Sequence, residues 1–146
     1  ERYELFKERI FLAVPHNSPY ASEESVRLQD FAHEDFISLS GSRSIRTICD
    51  RYCMQAGFVP HIIYESDSPD TVKNLIASGL GVGFWPHYTW GMDSMEQIRL
   101  LPIAEPTCQR AIILQLHRHA RGQEAVCSFY AFLNRYLRQL KAAEQH

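Results

Sequence analysis

The sequence predicts an α/β fold with a parallel-core sheet, because strand and helix patterns alternate over residues 35–85. Three short apolar runs are separated by two stretches with a helical period, which gives the order strand, helix, strand, helix, strand. Strands joined in this way by right-handed crossovers lie parallel, with helices on both faces of the sheet. At 146 residues and 45% hydrophobic content, the chain has enough apolar material for one such core.

The first helix of this series is predicted over residues 45–56, between strands at 35–39 and 61–65. Its apolar residues recur at intervals of three and four, which is the spacing of one helix face. Gly57 follows as the residue that ends the helix, and Phe58 is placed for the apolar contact that accompanies such an ending.

The second helix has the clearest boundaries in the chain. Ser68 supplies an N-cap hydroxyl, and Pro69 takes the first helical position, where its missing N–H costs nothing. Gly79 ends the helix. The run 80–85 that follows is apolar on both faces, as in a buried parallel strand, and Pro86 stops it.

The outer parts of the chain predict further elements with less regular spacing. They are strands at 10–14, 98–103 and 110–117, an irregular turn at 26–32 and a closing helix at 122–140. The apolar stripe predicted for the closing helix comprises Val126, Phe129, Leu133, Tyr136, Leu137 and Leu140. Strand 10–14 is so apolar that it needs neighbours on both sides, so we expect the chain to be a piece of a longer protein.

Composition excludes several classes of function for this stretch. The net charge is −2 with acids and bases interspersed, so there is no basic surface for nucleic acid. The apolar runs are too short to cross a membrane and no signal-peptide pattern opens the chain, so we predict a cytoplasmic protein. Four cysteines without paired spacing predict free thiols. No nucleophile elbow or phosphate-binding glycine loop is present, so we predict neither an enzyme nor a cofactor.

Three motifs together resemble the effector-binding domain of LysR-type transcriptional regulators. They are Val14-Pro15-His16-Asn17-Ser18-Pro19, Gln55-Ala56-Gly57-Phe58-Val59-Pro60 and the run from Ser78 to Pro86 (SGLGVGFWP). Each is weak alone, but their order and spacing are specific, and the resemblance covers nearly the whole chain. It implies a two-lobed, periplasmic-binding-protein-like fold in which residues 16–97 form the complete second lobe, while 1–15 and 98–146 are the remainder of the first.

The resemblance also implies the partners of the whole protein. A small effector binds in the cleft between the lobes, and an N-terminal winged helix-turn-helix, which this sequence lacks, binds DNA. Relatives form homodimers and homotetramers, so we expect the same here, with no membrane partner. The alternatives are a free-standing solute-binding receptor or one lobe of an enzyme on the same scaffold.

The loop Ser40-Gly41-Ser42-Arg43-Ser44 is the main candidate for effector binding. It joins the carboxyl end of a strand to a helix N-terminus, where free N–H groups, hydroxyls and a guanidinium can face an anion such as a carboxylate. The alternative is structural, with a serine capping the helix, a glycine turn and a solvated arginine. The loop is similar in position to effector-contacting residues of LysR-type relatives.

Two segments that connect or flank the lobes supply the remaining candidates, Pro15, His16, Phe84 and Trp85. An aromatic wall near a hinge can cover the apolar face of a ligand, although a tryptophan before a proline can equally serve as packing. Asp67, in the second strand-to-helix loop, would repel an anion and is expected to act mainly as a cap.

Cysteine and histidine pairs offer two further hypotheses, both weaker. In a peroxide-sensing branch of the resembled family, the first sensing cysteine corresponds to Ser44 and the second to Cys53, and serine cannot form a disulfide. Cys49 and Cys53 are four residues apart on one helix face, which predicts buried packing thiols. His117 and His119 are expected on one face of a strand and could pair on a metal, but no third ligand is close in sequence, so surface histidines are favoured.

Overall fold

The structure is a computed structural model that describes residues 2–41, 44–92, 96–120 and 122–143. Strands and helices alternate as predicted through the middle of the chain. The strands are β1 (Arg2–Pro15), β2 (Val26–Arg27), β3 (Asp35–Leu39), β4 (His61–Ser66), β5 (Gly83–Pro86), β6 (Ile98–Leu101), β7 (Ile103–Glu105) and β8 (Gln109–Gln115). The α-helices are α1 (Ser44–Gln55), α2 (Pro69–Ala77), α3 (His87–Trp90) and α4 (Glu124–Ala143).

The chain divides into two compact units, one comprising Glu1–Lys7 with Ala111–His146 and the other Glu8–Arg110. The second unit contains β2 to β7 and α1 to α3, together with most of the buried core. The division into lobes at residues 16–97 stays a prediction.

The parallel core of the second unit is formed by β3 and β4, as predicted. The two strands run parallel from the pair Asp35–His61 to the pair Leu39–Ser66. Val82 continues the sheet on the other side of β3 through a parallel bridge to Phe36. The predicted strand over 80–85 therefore bridges β3 at Val82 and then continues as β5, which pairs antiparallel with β1.

Glycines are required where this third segment approaches β3. A Cβ on Gly81 would lie 2.5 Å from the carbonyl oxygen of Asp35, and one on Gly83 would lie 2.7 Å from that of Ile37. Side chains at these positions would force the backbones apart, so close packing accounts for both glycines without a ligand.

Helices α1 and α2 end as their sequences predict. Gly57 and Gly79 both have positive φ angles, 91° and 84°. The N–H of Phe58 donates to the carbonyl of Cys53, which completes the glycine ending of α1. At the start of α2, the hydroxyl of Ser68 accepts a hydrogen bond from the N–H of Thr71. Ser68, and not Asp67, is therefore the cap.

Strand β1 is longer than the predicted strand at 10–14. Residues 10–13 pair antiparallel with β5, residues 12–15 pair antiparallel with β6, and β8 also pairs with β1. The charged stretch before Ile10 has no local apolar pattern that predicts a strand. It is extended because β1 pairs with strands that lie far along the chain.

The predicted strand at 98–103 is in fact two strands. Pro102 separates β6, which pairs with β1, from β7, which pairs with β2. Proline cannot donate to a strand ladder, and this explains why the chain changes sheets at that residue.

In the first unit, α4 is the main helix, and Tyr130 on it packs against Tyr3 of β1 with ring centroids 5.1 Å apart. The predicted apolar stripe is only half correct. Three of its members, Val126, Leu133 and Leu137, are partly buried. The other three are exposed and form an exposed apolar row together with Phe132. This exposed row comprises Phe129, Phe132, Tyr136 and Leu140. Within the described ranges, no helix combines the length and apolar character needed to span a bilayer.

Candidate functional site

The carboxyl ends of β3 and β4 meet at one edge of the parallel sheet, as predicted. Leu39 lies opposite Ser66, and beyond them the N–H of Ser40 donates to the carbonyl of Ser66 at 3.1 Å. The hydroxyl of Ser40 donates to Oδ1 of Asp67 at 2.6 Å. The two strand-to-helix loops are thus fastened to each other at this edge.

A narrow cavity of about 10 Å³, room for roughly one water molecule, lies at this edge of the second unit and is open to solvent. Its walls come from β3, α1, α2, β5 and α3. The lining residues are Ile37, Ser38, Leu39, Ile45, Arg46, Cys49, Val72, Phe84 and Trp90. Its lining combines apolar side chains with the polar groups of Ser38 and Arg46, a mixture that small-ligand sites also show.

Arg46 is the cation that lines this cavity. Its side chain is only 16% exposed and donates to the carbonyl of Leu39 at 3.3 Å, as well as to Glu65 and Asp50. Burial works to lower the pKa of Arg46, but the hydrogen bonds and charges of Glu65 and Asp50 outweigh it, so the pKa is raised. The guanidinium is therefore fixed in place and permanently charged.

Two aromatic side chains, Phe84 and Trp90, also line the cavity. Phe84 stacks on Phe36 with centroids 5.8 Å apart. Trp90 meets Trp85 edge to face at 4.8 Å, and the indole N–H of Trp85 donates to the carbonyl of Gly91 at 2.9 Å. Trp85 is thus held in the core, while Trp90 reaches the cavity.

The structure brings part of the predicted site together. Ser40 lies at this edge and Phe84 lines the cavity, while Gly41 after β3 and Ser44, the first residue of α1, are exposed. A Cβ on Gly41 would meet no described atom within 4 Å, so the backbone there does not require glycine. Ser42 and Arg43 lie outside the described residues.

The other three predicted residues lie elsewhere. Pro15 pairs with Ile98 in the sheet, and the N–H of His16 donates to the carbonyl of Gln97. Trp85 is buried. None of the three is among the described residues that line the cavity.

Sequence reasoning missed Arg46 and Trp90, the two polar or aromatic residues that the helices add to the cavity. Arg46 is four residues before Asp50, which indicates a helical ion pair, but the pattern does not show that the side chain reaches back to Leu39 and Glu65. Trp90 lies in a stretch with no clear periodicity, and only its contact with Trp85 reveals its position.

The cysteines of the second unit are buried free thiols, as predicted for Cys49 and Cys53. Burial raises the pKa of Cys49 well above its usual value, and nearby thiols add to this. Burial also raises the pKa of Cys53 and of Cys108 to about 12 in each case. Thiols with such pKa values react slowly at neutral pH, because the thiolate is the nucleophile.

The structure gives no metal centre within its described ranges. The rings of His117 and His119 are 5.1 Å apart, and both residues are exposed. They lie beyond the end of β8, so the prediction that they share a face of a strand is wrong. No group of three or more His, Cys, Asp or Glu side chains that could hold a metal occurs among the described residues.

Comparison with known proteins gives one consistent result. The family model described as the LysR substrate binding domain matches residues 1–138. The transcriptional dual regulator GltC of Bacillus subtilis is 27% identical over 137 residues, which cover 94% of this chain and 46% of GltC. The chain spans less than half the length of the curated relatives it matches first.

Solved structures show the same fold. The effector-binding domain of QuiR in complex with shikimate has a TM-score of 0.83 at 24% identity, covering 95% of this chain and 66% of that one. The regulatory domain of CcmR from Synechocystis in complex with 2-PG has a TM-score of 0.83 at 14% identity, covering 94% and 66%. The periplasmic-binding-protein-like α/β fold predicted from the sequence is therefore confirmed.

Proposed function

Since this chain belongs to the family of LysR substrate-binding domains, we propose that it is the effector-sensing part of a LysR-type DNA-binding transcription regulator. The observation that carries the proposal is the cavity at the carboxyl edge of β3, whose lining includes the buried guanidinium of Arg46 and the ring of Phe84. A ligand crevice at the carboxyl ends of parallel strands is the usual arrangement in open α/β sheets.

The proposed effector is a small anion, with a carboxylate as the first candidate. The loop from Ser40 to Ser44 offers hydroxyls, N–H groups and Arg43 to such a group. The structures of QuiR with shikimate and CcmR with 2-PG support a small polar ligand in related domains. Glu65 and Asp67 lie at the same edge, so hydroxyl or ammonium groups on the effector would also find acceptors.

The proposed regulation is a shift of population. An effector that binds one arrangement of the domain more tightly than another changes the balance between them, and DNA binding follows that balance. The DNA contact belongs to a winged helix-turn-helix outside this sequence. We propose that the protein acts in the cytoplasm as a homodimer or homotetramer, because symmetric regulators bind symmetric operators. We propose no catalytic activity.

A ligand screen tests the proposal. Small carboxylates, hydroxy acids, amino acids and aromatic acids are added to the protein, unfolding temperatures are measured, and calorimetry follows for any acid that raises them. We expect at least one acid to stabilise the protein, because a ligand at 100 times its Kd adds about 2.7 kcal/mol. Arg46→Gln should abolish that stabilisation. If no acid binds while neutral or cationic metabolites do, the anionic effector is excluded.

A further inference from the structure

A buried ion pair lies beneath the short helix α3. Glu8 on β1 is fully buried, and its carboxylate accepts a hydrogen bond from Nε of Arg110 on β8, a side chain that is only 14% exposed. Replacement of a buried ion pair by apolar residues is often neutral or stabilising, so the pair itself is weak evidence of a contribution to stability.

The pair holds Thr89. Its backbone N–H donates to one oxygen of the Glu8 carboxylate at 3.1 Å, and its hydroxyl donates to the other, also at 3.1 Å. The hydroxyl oxygen in turn accepts a hydrogen bond from Arg110 at 2.6 Å. Glu8, Thr89 and Arg110 thus form a closed triangle of charge-assisted hydrogen bonds.

This triangle replaces the local cap that α3 lacks. The residue before α3 is Pro86, which has no side-chain group to accept from the first N–H groups of the helix. Glu8 is 81 residues away in sequence and takes over that role by accepting from the N–H of Thr89, the third residue of the helix. A single helical turn has almost no stability of its own, so its position depends on such contacts.

The next residue of the same turn is Trp90, which lines the candidate effector cavity. The chain after it is fixed by Gly91, whose φ is 73° and whose carbonyl accepts from the indole of Trp85. Trp90 is thus placed between two anchors, the Glu8 triangle on one side and Trp85 on the other.

We infer that Glu8 is a positioning residue for the effector site, acting through Thr89 to hold Trp90 in the wall of the cavity. The inference rests on the proposed function for its ligand, but not for its geometry.

Fluorine NMR on protein labelled with 5-fluorotryptophan tests the positioning directly. A Trp90→Phe variant identifies the Trp90 signal. We expect Thr89→Val to shift or broaden that signal while the Trp85 signal persists, since Trp85 is in the core. Thr89→Ser retains the hydroxyl and should restore the native signal. Thr89 is exposed, so valine can be accommodated there.

Thr71→Val is the matched control, because Thr71 is the third residue of α2 as Thr89 is of α3. It should leave both tryptophan signals unchanged. An unmoved Trp90 signal in folded Thr89→Val would overturn the inference. If the valine variant does not fold, Thr89→Ala replaces it in the same test.

Any acid found in the screen should bind Thr89→Val roughly five-fold more weakly, the loss expected for one hydrogen bond. If no acid binds the wild-type protein, only the proposed function fails, because the fluorine signals need no ligand.

Discussion

The hydroxyl of Ser40 is hydrogen-bonded to the carboxylate of Asp67 at 2.6 Å, and this bond joins the two strand-to-helix loops at the edge where the candidate cavity opens. Ser40, which is predicted to bind an anionic effector, therefore already donates to a carboxylate. Asp67, which is predicted as a cap for α2, competes with any carboxylate that approaches Ser40.

This pairing makes Asp67 a test of the charge of the effector. Asp67→Asn keeps an oxygen to accept from Ser40 but removes the negative charge. We expect it to tighten binding of an acid found in the screen by about ten-fold, which corresponds to roughly 1.4 kcal/mol. Calorimetry at two salt concentrations measures the effect, which should shrink as salt rises. Asp70→Asn removes the same charge from a side chain that is 86% exposed, and should change affinity much less.

Arg43 is the cation predicted from the loop sequence alone. We expect Arg43→Ala to weaken binding of an anionic effector by about 2 kcal/mol or more, since a charge-assisted hydrogen bond is lost. Arg51→Ala on the exposed surface of α1 is the control and should bind as the wild type does. Equal affinities for the two variants in calorimetry would remove Arg43 from the site and leave Arg46 as the cation.

Gly83 in β5 has less room for an added side chain than Gly41 in the loop after β3. Gly83→Ala would place its Cβ 2.7 Å from the carbonyl of Ile37 and 2.9 Å from the side chain of Ile76. We expect the free energy of unfolding to fall by about 3 kcal/mol, the upper range for overpacking. Urea denaturation measures this change. Gly41→Ala has open space and ordinary φ, so an equal loss in both variants would contradict the account.

The buried thiols predict how stability depends on alkaline pH. Because the pKa values of Cys53 and Cys108 are raised to about 12 in the folded protein, the folded state holds protons that unfolded thiols release above about pH 9. The contribution of these thiols to the free energy of unfolding is therefore fully present below pH 9. It falls as the pH rises towards 12, with a slope of up to about 1.4 kcal/mol per pH unit for each thiol.

Urea denaturation across this pH range measures the slope. Cys53→Ala should lower the slope, whereas Val72→Ala, a truncation of another buried side chain, should lower stability at every pH and leave the slope unchanged. Equal slopes in Cys53→Ala and the wild-type protein would show that the Cys53 thiol does not titrate as its burial indicates.

The parts of the fold that sequence could predict are those with local causes. Helix α2 has its serine cap, its proline and its glycine ending within a dozen residues, so its bounds follow from short-range chemistry. The β3–α1–β4 unit can be predicted in the same way, because short apolar runs alternate with a stretch that has helical spacing. Strand β1 could not be predicted in full, because its partners β5, β6 and β8 all lie far along the chain.

The site shows the same limit. The meeting of the Leu39 and Ser66 strand ends follows from parallel topology, so the loop at Ser40 was placed correctly. The direction of the Arg46 side chain and the bond between Glu8 and Thr89 depend on packing between distant segments, and no spacing in the sequence records them. Trp85 is predicted as a ligand contact from its residue type, but it is buried, and the tryptophan that lines the cavity is Trp90 of the adjoining turn.

The contact between Glu8 and Arg110 has a consequence for engineering. These residues are the first and last of a compact unit that is continuous in sequence, and they are held side by side across paired strands. Residues 8–110 therefore form a cassette with adjacent ends, which is one of the conditions that favour the exchange of a domain. A chimaera that exchanges this cassette between two homologous regulators needs only two splice junctions, and both fall next to the same salt bridge.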